Sequence, residues 1–125
     1  GDVTLVASGM LVFNCLKAAE MLKEKGLDVR VLNIHTIKPL DEGILVKAAE
    51  ETGAIVTVEE HQVIGGLGGA VCEALSENRP APVYRLGVRD VFGQSSRTMG
   101  ELLELHGLTS EKIAASAENV IKKRG

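Results

Sequence analysis

Tryptophan is absent from this chain of 125 residues, and Phe13, Tyr84 and Phe92 are its only aromatics. A platform for single-stranded nucleic acid needs rings along a basic groove. The net charge of −3, with the signs interspersed, removes the basic half of that requirement as well. Nucleic acid is therefore not expected as a partner. No apolar run approaches the roughly 18 residues of a membrane helix, and no signal peptide precedes the first strand pattern, so a cytoplasmic protein with no membrane partner is expected. Cysteine is limited to Cys15 and Cys72, and neither has a second Cys or a His at metal spacing. Both are read as buried free thiols, and no metal site is expected. An initiator methionine is also missing: the chain opens Gly1-Asp2-Val3 and runs straight into a strand, as a piece cut from something longer would.

Aliphatic residues dominate what is present. With 45% apolar residues and so few rings, the core must be built from Val, Ile, Leu and Ala. A chain of this length fits one domain, residues 1–125, and buries about two thirds of the surface its unfolded form exposes.

Strand and helix patterns alternate. Val3 to Ser8 reads as a strand, and Leu11, Cys15, Ala18 and Leu22, with Val12, Leu16 and Ala19, recur at helical spacing until Gly26 supplies a C-cap. Val29 to Ile34 is a second strand. Pro39 and an N-cap at Asp41 lead into a helix whose buried stripe is Ile44, Leu45, Ala48 and Ala49 and which ends near Gly53. Ala54 to Val58 is a third strand, Leu67 to Glu77 a third helix, and Val83 to Val88 a fourth strand. Thr98 with Glu101 forms a capping box for a helix ending at Gly107, and Ile113, Ala117, Val120 and Ile121 mark a last helix. Strands separated by helices of this length imply right-handed crossovers and a mostly parallel open sheet of four to five strands, covered on both faces: a three-layer α/β/α domain.

The stretch from Gly53 to Val71 carries the most information. Its run of β-formers ends in Glu59-Glu60-His61, and four glycines, Gly65, Gly66, Gly68 and Gly69, then crowd the turn into a helix. In an open α/β sheet, ligands and partner surfaces meet the carboxyl ends of the strands. A carboxylate beside an imidazole can act as an acid/base pair. Strand alternation sends Glu59 and His61 to one face and Glu60 to the other, so at most two converge. The competing reading is a solvated or interface-facing strand end. The glycine turn, with Gly66, Gly68 and Gly69 as its candidate residues, could present backbone N–H groups to an anion. It lacks the Lys-Ser/Thr of a P-loop and the spacing of a dinucleotide fingerprint. Its glycines could equally serve only to let the chain turn and the helix pack closely on the sheet. His35 reads as a loop histidine, His106 as a helix C-terminal cap, and the loop from Asp90 to Arg97 as a nonspecific polar segment. No nucleophile elbow, zinc motif or Mg²⁺-diphosphate motif is present. The residues alone give an α/β domain with a polar strand-end crevice.

Resemblance extends this. Thr36-Ile37-Lys38-Pro39-Leu40-Asp41, then Val56-Thr57-Val58-Glu59-Glu60-His61, then Gly65-Gly66-Leu67-Gly68-Gly69-Ala70-Val71, resembles the C-terminal domain of transketolases. The opening DVTLVASG, the loop GVRDVFGQSS and Leu102-Leu103 through Gly107-Leu108-Thr109 match the same domain in order and spacing, so the resemblance covers essentially the whole chain. Deoxyxylulose-phosphate synthases and the β subunits of 2-oxo-acid dehydrogenases share the domain. The former typically carry Asn where His61 stands, and the latter lack this form of the strand-end motif.

The resemblance implies an enzyme that moves a two-carbon ketol unit between sugar phosphates, with thiamine diphosphate and Mg²⁺ held by other domains or another subunit. Nothing in this chain matches those cofactor motifs, so no cofactor and no catalytic residue is expected here. The implied role is assembly, with contacts to the cofactor-binding domains and to a homodimer partner. An antiparallel edge strand that the family places just before Val3 is missing, so the implied sheet has four parallel strands in the order 2-1-3-4 with an exposed edge. An independent module that binds an anionic regulator at Gly66 to Gly69 is the alternative.

Overall fold

β-branched and aliphatic runs alternate with amphipathic helices, and the computed structural model turns that pattern into a four-stranded parallel sheet of order β2-β1-β3-β4. It describes residues 1–8, 11–34, 42–62, 67–78, 81–88 and 108–124. The strands are β1 (Val3–Ala7), β2 (Val29–Asn33), β3 (Ile55–Gln62) and β4 (Val83–Val88), and the helices α1 (Leu11–Glu24), α2 (Glu42–Thr52), α3 (Leu67–Asn78) and α4 (Ser110–Arg124). The expected helix around residues 98–106, with its Thr98–Glu101 box, lies outside the described residues, as do Pro39, Asp41, His35, His106 and the Asp90–Arg97 loop.

Two apolar layers sandwich the sheet because alternate strand residues face opposite ways. Val3, Leu5 and Ala7 of β1 and Val56 and Val58 of β3 pack with Leu11, Cys15, Ala18 and Leu22 of α1 and Ile113, Ala117 and Val120 of α4. On the other side Val6 and Ile55 pack with Leu45 and Ala49 of α2 and Val71 and Leu75 of α3. A fully buried Leu such as Leu5, Leu22 or Leu75 contributes on the order of 2 kcal/mol through its removal from water. Near-continuous apolar strands are what a doubly covered parallel sheet requires.

Helix ends follow local chemistry. Leu27 N–H donates to the Leu22 carbonyl at 3.0 Å and Gly26 N–H to Lys23 at 2.9 Å, which closes α1 with Gly26 at φ +84°. Gly53, at φ +72°, donates to Ala49 at 2.8 Å and ends α2. Thr52, the last residue of α2, turns its hydroxyl inward to donate to the Ala48 carbonyl at 2.8 Å, and it lies 2.9 Å from the Thr4 hydroxyl of β1. The α4 helix is capped by Thr109, whose Oγ1 accepts from Lys112 N–H at 3.3 Å. Asn14 of α1 donates to the Leu108 carbonyl at 2.9 Å and ties the two helices of that layer together at their ends.

Three apolar positions differ from expectation. Leu16 is 48% exposed and Ile44 44% exposed, so both sit at the margin of their helix stripe rather than in it. Cys15 is buried as expected, but Cys72 is only half-buried beside β4.

Candidate functional site

β3 does not stop at Val58. Glu59, Glu60, His61 and Gln62 continue it, and Glu59 and Gln62 still pair with β4, although the polarity of all four reads as a strand end. Glu59 stands opposite Gly87 and Gln62 opposite Val88, so three steps on β3 meet one step on β4. The extra residues form a bulge, which re-aims a strand near its end. The bulge interrupts strict alternation between Glu59 and Gln62, and the expected placement of Glu59 and His61 on one face falls on a side chain, that of His61, outside the described residues.

Glu59 lies on the α2/α3 side of the sheet with Ile55 and Thr57, and it is only 3% exposed. The solvated strand end does not describe it: its carboxylate is held inside the domain. The side chains of Glu60 and His61 lie outside the described residues, as does Gly66. Next along the same face is Arg85, the β4 partner of Thr57. Its guanidinium reaches the first turn of α3: among the described residues, a methyl placed on Gly69 would meet only Arg85 Nη1, at 4.0 Å. Thus the end of β3, Arg85 and the N-terminal turn of α3 converge.

Gly69 answers part of the glycine question. It belongs to α3, and the only described glycines at positive φ are Gly26 and Gly53. Among the described residues, neither backbone strain nor crowding requires a glycine at position 69. Gly68 also falls within α3, but its surroundings lie outside the described residues. Thr57 Oγ1 is buried without a hydrogen-bond partner among the described residues.

Elsewhere the chemistry is quiet. Burial in the α1 layer pushes the Cys15 thiol from its ordinary 9.0 to about 12, which keeps it protonated and inert at neutral pH. Among the described residues no group of three His, Cys, Asp or Glu side chains is placed to hold a metal ion. No described helix is long and apolar enough to cross a membrane.

Residues 1–113 match the model of the family described as the transketolase C-terminal domain. The chain belongs to that family. It is 47% identical over 124 residues to the 6-deoxy-6-sulfo-D-fructose transketolase subunit SqwH of Clostridium sp. (strain MSTE9), a match covering 99% of this chain and 38% of that protein. It is 46% identical over 125 residues to an apulose-4-phosphate transketolase subunit of Phocaeicola vulgatus, covering 98% of this chain and 38% of that protein. A 1-deoxy-D-xylulose-5-phosphate synthase from Heliobacterium modesticaldum is 40% identical over 120 residues, covering 95% of this chain and 18% of the synthase. Among solved structures, a split-gene transketolase described as an inactive β4 tetramer superposes with a TM-score of 0.92 at 46% identity, covering 99% of this chain and 40% of that one. The chain thus spans about two fifths of the transketolase subunits it resembles. The transketolase C-terminal fold, with its 2-1-3-4 parallel sheet, is the fold seen here.

Proposed function

We propose that this chain is the C-terminal domain of a transketolase, in a single polypeptide or in the smaller subunit of a split enzyme, and that it serves assembly rather than the chemical step. The observation that carries the reading is identity of 46–47% across almost the whole chain to two proteins named as transketolase subunits. In this reading the complete enzyme works in the cytoplasm and transfers a two-carbon ketol group between sugar phosphates. Thiamine diphosphate and Mg²⁺ sit in the cofactor-binding domains or partner subunit. No step is assigned to the cofactor in this domain.

The domain's contribution is then a surface. The carboxyl end of β3, a central strand, carries Glu60 and His61, and the glycine turn of Gly66, Gly68 and Gly69 follows at once. We assign that strand end, with Glu60 and His61 as its candidate residues, to the contact with the cofactor-binding partner or to the substrate crevice. Buried Glu59 supports that end from within. A deoxyxylulose-phosphate synthase is the second reading, favoured by the 40% match and opposed by His61, since the synthases typically carry Asn there.

Calorimetric titration of this chain with thiamine diphosphate and Mg²⁺ tests the assignment. No saturable heat is expected. A stoichiometric micromolar isotherm would overturn the view that the cofactor belongs wholly to other domains.

A further inference from the structure

We draw no further inference here: the strongest candidate, the N-terminal turn of α3 where Arg85 of β4 reaches Gly69, is a helix N-terminus beside an exposed arginine, and nothing else among the described residues points to a ligand there.

Discussion

Replacing Gly69 by Ala is the sharpest test of how the glycine turn is built. The residue lies in the first turn of α3, at a helical backbone conformation, and among the described residues an added methyl would meet only the far end of the Arg85 side chain, at 4.0 Å. Alanine exceeds glycine in helix propensity by about 0.8 to 1 kcal/mol in a helix interior. In a first turn, where fewer backbone bonds depend on the residue, about half of that is expected. Gly69→Ala should therefore stabilise the domain by roughly 0.4 to 0.5 kcal/mol, or about 2 °C in Tm. Gly26→Ala is the matched control. It too has open space, but its φ of +84° puts the whole effect on the backbone, and a loss of about 1 kcal/mol is expected. Urea melts of both variants, read for midpoint at constant slope, give the comparison. If Gly69→Ala costs 1 kcal/mol or more, the packing around the first turn of α3 is not as open as described and the reasoning fails.

Two buried threonines should behave in opposite ways. Thr52→Val leaves the Thr4 hydroxyl stranded inside the α2/β1 contact and should cost roughly 1 to 3 kcal/mol, with Thr4→Val/Thr52→Val costing less than the sum of the single changes in the same melts. Thr57→Val removes a buried hydroxyl that makes no hydrogen bond among the described residues, so it should be neutral or stabilising by up to about 1 kcal/mol; a clear loss would reveal a partner elsewhere in the chain. Burial holds the Cys15 thiol at about 12, above its ordinary 9.0, so its contribution to stability is complete below pH 9 and lost as pH rises toward 12. Cys15→Ala should flatten the fall in stability above pH 9, and in the native wild type the thiol should resist a disulfide reagent at pH 8; rapid labelling of Cys15 would contradict its burial.

Much of the fold was legible because parallel strands buried on both faces are continuous apolar runs, and four such runs separated by helical periodicity leave few topologies. β4 begins and ends where Val83 and Val88 suggest. The end of β3 was not legible: Glu59 to Gln62 is polar enough to read as the point where the strand stops, and a bulge leaves no trace in alternation. Glu59 was misjudged for a related reason, since glutamate is ordinarily a surface residue and only tertiary structure shows it 3% exposed. Leu16 and Ile44 show the limit of helical periodicity, which finds the apolar face but not its margin. At Leu16 that margin opens onto a groove beside β2.

The most direct measurement of the central claim is reconstitution. The complete polypeptide carrying this chain would be combined with a cofactor-binding transketolase subunit, thiamine diphosphate and Mg²⁺, and supplied with a ketose phosphate donor and an aldose phosphate acceptor. The account predicts an acceptor lengthened by two carbons, formed only when the polypeptide carrying this domain is present. Product formation that demands pyruvate and releases carbon dioxide, or ketol transfer at full rate with this domain deleted, would contradict it.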